Sequence, residues 1–454
     1  MDDKWRFNNT FEQLTHRRRE VLKLFLAGKT DTEIALQLFM AETTVRKHIQ
    51  NICEAFDLEE GRDRREHLKA LFAKYKPELI PDAPPYTPPT HDEPQDEIDP
   101  KITPLTGVVP RNSPLYIQRE ADRKCQEILK TASHHPVFIR LRGARGCGKS
   151  SLLVRLQHWL ETEQKQVVGF VDLGGVNFEP EAFTNLNKLL YQFTYAVTQS
   201  FSSAMPNHPP NLQRNWQEDV AAASNCTDYL ENYIFTKIKQ PKTLIIDGID
   251  KILGRKETQT PFLNLLRSWY ERKMKDVGQG KIVWPNLTIA DSTEPYAHYE
   301  IQDSPLQNVG NQVELQEFNT EDILELAKCY GIELNFDDSN SLKQLLGGNP
   351  ALLNHAIYQL SQNSINLTRL IDRATEVDGT FAYFLQKNLK QLQVHDNLIN
   401  CFKQILQGNK CGDEFAKYQL ELAGLIRGYP FNVQVSCELY QKFFKAYLGL
   451  DNAQ

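Results

Sequence analysis

Pro136-Val-Phe-Ile-Arg-Leu-Arg-Gly-Ala-Arg-Gly-Cys-Gly-Lys-Ser150 opens as a short apolar run and passes directly into a glycine-spaced loop. Ser151-Leu-Leu-Val-Arg-Leu156 then continues it with helical character. Strand, loop and helix in this order, around G-x4-G-K-S, are the context a phosphate-binding P-loop requires. Glycines let the backbone curl so that consecutive N–H groups face one anion, and the helix N-terminus adds a favourable dipole. The pattern assigns Gly143, Ala144, Arg145, Gly146, Cys147, Gly148, Lys149, Ser150 and Ser151 to nucleotide binding. Lys149 is expected on the β- and γ-phosphates, and the Ser150 hydroxyl on Mg2+.

Working outward, Val167-Val-Gly-Phe-Val-Asp-Leu173 and Thr243-Leu-Ile-Ile-Asp247 read as further buried strands. Asp247 closes its strand, where open α/β sheets bind ligands, and is the expected Walker B carboxylate, holding Mg2+ through water. From about Ser113 onward, β-branched runs alternate with helical patterns, the signature of a parallel α/β sheet. Beyond Asn319 helices dominate.

The other end of the chain differs. Residues 1–80 are helical and dense in both charge signs, with 15 Lys or Arg against 14 Asp or Glu. In Leu14-Thr-His-Arg-Arg-Arg-Glu-Val-Leu-Lys-Leu-Phe-Leu-Ala-Gly28, Thr15 reads as an N-cap and Gly28 as a C-terminal stop. A second helix is expected from Asp31, with Ile34, Ala35 and Leu38 inward. A third follows over Glu42–Cys53, with Val45, Ile49 and Ile52 inward. That leaves Thr43, Thr44, Arg46, Lys47 and Asn51 on the outward arc, residue types that contact phosphates and base edges. His48 reads equally as a base contact or a packed helix residue. Between these zones, Pro81-Asp-Ala-Pro-Pro-Tyr-Thr-Pro-Pro-Thr-His-Asp-Glu-Pro94 has many prolines and little apolar periodicity, and is expected to be a semi-rigid acidic tether.

The 454 residues suffice for two or three domains. A net charge of -6 confines any DNA binding to a local basic face. The eight cysteines show no CxxC spacing, so neither a zinc site nor a redox motif is indicated, and they are expected to be mostly small buried residues in a reducing cytoplasm. No signal-peptide pattern and no run of about 18 apolar residues is present, so no membrane span is expected.

Two resemblances sharpen the reading. Leu14-Thr15, Glu33-Ile34-Ala35 and Thr44-Val45-Arg46-Lys47-His48-Ile49 resemble the LuxR/GerE-type helix-turn-helix over roughly residues 11 to 58. The resemblance implies DNA binding through Thr43, Thr44, Arg46, Lys47, His48 and Asn51. Ala41 stands where that family usually starts its recognition helix with Ser. Losing such a cap costs about 0.5–2 kcal/mol, and Glu42 would repel a phosphate. Modest DNA affinity is expected.

The segment from about Ser113 to Leu448 resembles the AAA-like ATPase domain of cyanobacterial signalling proteins, allied to the STAND class of signal-transduction ATPases. The match rests on Tyr116-Ile-Gln-Arg-Glu120, Phe262-Leu-Asn-Leu-Leu-Arg-Ser-Trp-Tyr270, Asp291-Ser-Thr-Glu-Pro-Tyr296, Ser304-Pro-Leu-Gln-Asn-Val-Gly310, Gly348-Asn-Pro350 and Cys437-Glu-Leu-Tyr-Gln-Lys-Phe-Phe444. It implies a multidomain chain: an all-α helix-turn-helix (1–80), a Pro-rich acidic linker (81–112), an α/β P-loop NTPase core with a parallel sheet (113–318), a helical lid (319–380) and a winged-helix-like C-terminal domain (381–454). It also implies ATP or ADP with Mg2+ as cofactors, and Pro350 beside the adenine.

The family usually has Glu directly after the Walker B Asp, and Gly248 stands there. Water activation then loses roughly 10²–10⁴-fold, so hydrolysis is expected to be slow or absent. Gly248→Glu is expected to raise turnover where geometry allows. Asp250 is the candidate substitute carboxylate, its other reading being a brace for the loop. Arg267 and Arg145 are candidates for γ-phosphate contact or intersubunit sensing, with a surface ion pair as the other reading of each. Ser292 and Thr293 are candidate γ-phosphate sensors or strand-end caps. Together these features imply an ATP- and DNA-binding regulator whose nucleotide state controls conformation or homo-oligomerisation, with an upstream signalling protein as partner. Two alternatives stay open: a signalling or defence switch whose helical module recruits a protein, and an ATPase that remodels a nucleoprotein target.

Overall fold

The computed structural model describes residues 7, 10, 11, 14, 16–27, 29–31, 34, 42–56, 64–76 and 79 near the N-terminus. It further describes residues 107–291, 305, 306 and 308–450, except 134, 256, 363, 364, 377, 394 and 395. The chain divides into two compact units, Met1–Asp99 and Pro100–Gln454.

In the N-terminal unit, helices α1 (His16–Leu26), α2 (Glu42–Ala55) and α3 (Arg64–Tyr75) surround one small core. Val21, Leu22, Phe25 and Leu26 face Val45, Ile49, Ile52 and Cys53, as the apolar spacing requires, and α3 adds Leu68 and Phe72. Phe72 is also ringed by Phe7, Phe11 and Phe56, which closes the core with aromatic edges. The expected cap Thr15, the stop Gly28, and Ala35, Leu38 and Ala41 lie outside the described residues.

The larger unit begins with α4 (Glu120–Lys130) and β1 (Phe138–Arg142). It continues through α5 (Lys149–Thr162), β2 (Val167–Asp172), α6 (Leu186–Ser200), α7 (Ala222–Leu230), β3 (Lys242–Asp247), α8 (Gln259–Gly278), β4 (Asn286–Asp291) and β5 (Asn311–Glu314). The five strands form one sheet in the order β2-β3-β4-β1-β5, and every pairing is parallel. All of β4, and all of β3 but its last residue, is buried or nearly so, as expected of strands covered by helices on both faces. Alternate residues split between the two faces. Leu244 and Ile246 pack towards the core shared with Leu263, Leu266 and Trp269 of α8, while Ile245 packs towards that of Leu152, Leu153 and Leu156 of α5. The register aligns the C-terminal ends of the strands: Arg142 pairs with Asp291, and Asp172 with Asp247.

Beyond the sheet come α9 (Thr320–Cys329), α10 (Phe336–Leu346), α11 (Pro350–Ser361), α12 (Leu367–Asp372), α13 (Ala382–Leu392), α14 (Asp396–Leu406), α15 (Glu414–Leu422), an antiparallel hairpin of β6 (Ile426–Arg427) and β7 (Gln434–Val435), and α16 (Glu438–Tyr447). Residues on both sides of position 380, among them Leu342, Leu346, Leu353, Phe402 and Phe444, belong to one hydrophobic core.

One cysteine expectation needs amending. Cys401 on α14 and Cys411 before α15 form a disulfide, their Cα atoms being 5.2 Å apart, because the turn after α14 folds the chain back on itself. The other six are free thiols, all buried except Cys329. No helix among the described residues is long and apolar enough to cross a membrane.

Candidate functional site

The loop after β1 is packed closely by the start of α11. At Gly146 φ is +84°, and an added Cβ would lie 2.9 Å from Asn349 Oδ1. This close approach comes from the start of α11: Ala351 N–H donates to the Gly146 carbonyl at 3.2 Å, and Asn349 Nδ2 donates to the Arg145 carbonyl at 2.9 Å. Asn349 also caps α11, its Oδ1 accepting from the N–H groups of Ala351 and Leu352. One amide side chain thus starts α11 and ties it to the phosphate loop.

Lys149 begins α5, and its ammonium donates to the Gly143 carbonyl at 2.7 Å and the Ala144 carbonyl at 3.3 Å. The Ser150 hydroxyl is hydrogen-bonded to the Asp247 carboxylate, which burial pushes above the usual carboxylate range, Ser150 and the Gly248 N–H opposing that rise. A hydroxyl and a carboxylate in contact are the hard oxygen donors that suit Mg2+, an ion that keeps several of its own waters. Ser151 is buried and its hydroxyl accepts from the Val109 N–H at 2.9 Å, which fastens the segment preceding the core. Cys147 is fully buried; its thiol, pushed up by burial, is packing.

Arg119 is a site residue that motif reading did not single out. It is buried, and its Nη1 donates to the Cys147 carbonyl at 2.8 Å and the Gln316 carbonyl at 2.9 Å, joining the phosphate loop to the strand end after β5. Its guanidinium lies 5.2 Å from the centre of the Phe318 ring. Asp122 accepts from the Arg119 backbone N–H at 3.0 Å and from the Tyr116 hydroxyl at 2.5 Å, so a local network sets the arginine's place. The signal was present in Tyr116-Ile-Gln-Arg-Glu120, but its partner Gln316 lies 197 residues away and no local pattern connects them.

Between the segment before α4, the phosphate loop and α11 lies a cavity of about 470 Å³. Val109, Leu115, Ile117, Gly146, Ser151 and Pro350 line it, giving the apolar slot a flat aromatic base needs.

Other candidates have partners of their own. Arg267 lies on α8, its Nε pairs with Glu271 four residues on at 3.0 Å, and its Nη1 donates to the Pro305 carbonyl. It stands in the surface ion pair that was its other reading. Arg145 stands beside the C-terminal segment, its Cβ next to Gly424 and its charge felt by the Tyr440 hydroxyl. Asp250 lies in the turn Ile249–Lys251 near the buried Tyr418 of α15, whose hydroxyl is pushed up by burial and then by the charges of Asp250 and Asp291. Ser292 and Thr293 lie outside the described residues.

Gly248 overturns the expected gain from Gly248→Glu. Its φ is +75°, and an added Cβ would meet Asp172 Oδ1 and the Gly174 N–H nitrogen, each at 3.2 Å. Left-handed backbone and crowding beside a carboxylate both oppose a glutamate here.

On α2, Arg46 is exposed and pairs with Asp31 at 3.4 Å, while His48 and Asn51 are half-buried. The side chains of Thr43, Thr44 and Lys47 lie outside the described residues, although their backbone is helical.

Residues 105–446 match the family model described as AAA-like domain. The chain belongs to that family. Its N-terminal residues 12–60 match the model for bacterial regulatory proteins of the luxR family. The spore germination protein GerE of Bacillus subtilis is 55% identical over 38 residues, which are 8% of this chain and 51% of that protein, so the chain spans about half the length of that relative. Among solved structures, a Walker-type ATPase of Pyrococcus abyssi is similar over 73% of this chain and 96% of its own at 16% identity, with a TM-score of 0.49. A STAND protein with a tetratricopeptide repeat sensor from Pyrococcus horikoshii is similar over 77% and 44% at 13% identity, with a TM-score of 0.30. This AAA-like protein therefore joins a P-loop ATPase-like core, built on a parallel five-stranded sheet, to a LuxR/GerE-type helix-turn-helix.

Proposed function

We propose that this AAA-like protein is a DNA-binding regulator switched by ATP or ADP with Mg2+. The carrying observation is the pair of hydrogen bonds from Asn349 and Ala351 to the phosphate-loop carbonyls, with Pro350 between them on the cavity wall. A nucleotide held by Lys149, the loop N–H groups, Ser150 and Asp247 would then touch the sheet and the lid together. Its identity would bias the angle between them, because a ligand shifts an equilibrium by its difference in affinity for the two states. Tyr418 beside Asp250 extends the coupling to the C-terminal segment, where the resemblance places a winged helix.

Hydrolysis in this reading is slow, since Gly248 supplies no carboxylate and Asp250 braces the turn beside Tyr418. The helix-turn-helix binds DNA through α2, weakly as a single copy because its charges balance. Nucleotide-dependent self-association raises the effective concentration of DNA-binding modules. An upstream signalling protein would set the exchange of nucleotide. The test is sizing of the full chain with ATP–Mg2+ and with ADP–Mg2+, paired with DNA titration in the same buffers. A change of mass and of DNA affinity between the two nucleotides is expected. Identical mass and affinity in both would overturn the switch.

A further inference from the structure

We propose that His355 selects purine nucleotides bearing a 6-amino group, so that the cavity takes adenine and rejects guanine. This rests on the nucleotide reading above and assigns its base specificity to one imidazole nitrogen.

The argument starts from the tautomer. His355 Nε2 lies 2.8 Å from the Thr380 carbonyl oxygen, which can only accept, so Nε2 must carry the hydrogen. Burial holds the ring below the ordinary histidine range, favouring the neutral form, with the Thr380 contact opposing. A neutral ring protonated on Nε2 has a lone pair on Nδ1 and is an acceptor there. Nδ1 has no hydrogen-bond partner among the described residues, and His355 lines the cavity. The rings of Phe381 and Phe384 pack edge-on against the imidazole, with centroids 6.2 and 5.5 Å away, and restrict its rotation.

Position along α11 supplies the second step. Ala351 is fixed to the phosphate loop through Gly146, and His355 stands four residues further on, about 6 Å along the helix axis at 1.5 Å per residue. The helix thus leads from the phosphate end of the cavity to its far end. Pro350, Ala351, Asn354 and His355 line one wall, as spacings of one, four and five residues on a helix allow. Of these only Asn354 and His355 offer polar side-chain atoms. Asn354 Oδ1 already accepts from the Tyr330 hydroxyl at 2.9 Å, which leaves His355 Nδ1 as this wall's side-chain acceptor with no bond among the described residues. An exocyclic amine donates to it. At that nitrogen the 6-oxo group of guanine would instead set two lone pairs against each other.

The test measures equilibrium affinity of the full chain for ATP, GTP and inosine triphosphate, with Mg2+, in wild type, His355→Phe and His355→Ala. Wild type is expected to prefer ATP over both 6-oxo nucleotides by about 10-fold or more, the scale of one buried unpaired polar group. His355→Phe keeps an aromatic ring against Phe381 and Phe384 and should bring the three affinities to within about 3-fold, mainly by weakening ATP, since only the hydrogen bond is removed. A merely structural role would weaken all three equally and preserve the ratios. Equal wild-type affinities for ATP and GTP, or unchanged preference in both variants, would overturn the assignment while leaving nucleotide binding intact. Binding of none of the three by wild type would overturn the nucleotide reading itself, and this assignment with it.

Discussion

Two substitutions expose how differently single residues hold the site. Arg119→Lys keeps the positive charge but replaces a planar guanidinium whose Nη1 donates to both the Cys147 and the Gln316 carbonyls and which lies against Phe318. A more strongly hydrated ammonium on a flexible stem does not hold both carbonyls and the ring contact in that geometry, so ATP affinity is expected to fall about 10-fold or more, consistent with losing a charged hydrogen bond. Calorimetric titration checks this, with Lys149→Ala as the variant that should bind least. Glu317 gives a pH signature. Burial pushes its carboxyl up to about 7, with Arg427 at 3.7 Å and Lys343 opposing. A folded-state value above the unfolded one means the folded chain holds the proton more tightly. The contribution therefore favours folding below the unfolded value near 4.5 and is lost as pH rises through about 7. Glu317→Gln removes that loss, worth up to about 3 kcal/mol from the size of the shift. The variant should melt several degrees above wild type at pH 8 and close to it at pH 4.5, read by thermal denaturation at both values.

At the scale of elements, the start of α11 is where stability and function meet. Asn349→Ala removes the helix cap, a loss of about 0.5–2 kcal/mol, and also the bond to the Arg145 carbonyl. Asn349→Asp keeps the cap but turns the donor on that carbonyl into an acceptor. Both are expected to weaken ATP binding, and only the alanine variant should also lower the melting temperature appreciably; paired affinity and melting measurements separate the two effects. This junction also marks what could be read from sequence. The phosphate loop was legible because its chemistry is local: glycines, lysine and serine within eight positions, after an apolar run. The inward faces of α1 and α2 were legible because Val21, Val45, Ile49 and Ile52 repeat at helical spacing. Arg119, Asn349 and His355 were not, because their partners are backbone carbonyls brought near by folding, and a carbonyl leaves no mark in sequence. For Arg267 the sequence left two readings open, and the glutamate four residues on is the partner the fold gives it. At Gly248 the sequence shows a missing carboxylate, while the left-handed backbone packed against Asp172 emerges only in the fold.

For the whole molecule, the decisive question is whether nucleotide state reaches DNA. The N-terminal unit carries 15 basic against 14 acidic residues over positions 1–80, and Arg46 on α2 is already paired with Asp31. A phosphate must compete with that carboxylate, so one copy should bind DNA weakly. In the proposed switch, affinity would then depend on how many copies the AAA-like core brings together. Arg46→Ala with Lys47→Ala should weaken binding to all duplexes and reduce the salt slope by about one to two, because each lost phosphate contact releases about one counterion fewer. Asn51→Ala should instead relax sequence preference more than affinity, since an amide reads base edges. Asp31→Asn is the informative third variant: freeing Arg46 from its ion pair should strengthen non-specific binding, the opposite of the effect expected if α2 docks a protein through the same pair. Fluorescence anisotropy of the full chain against random and genomic duplexes, from about 50 to 200 mM salt with ATP–Mg2+ and with ADP–Mg2+, reads all three. Equal binding by wild type and the Arg46/Lys47 double variant, at every salt and in both nucleotides, would remove α2 from the DNA interface and leave protein recruitment as the role of the helix-turn-helix.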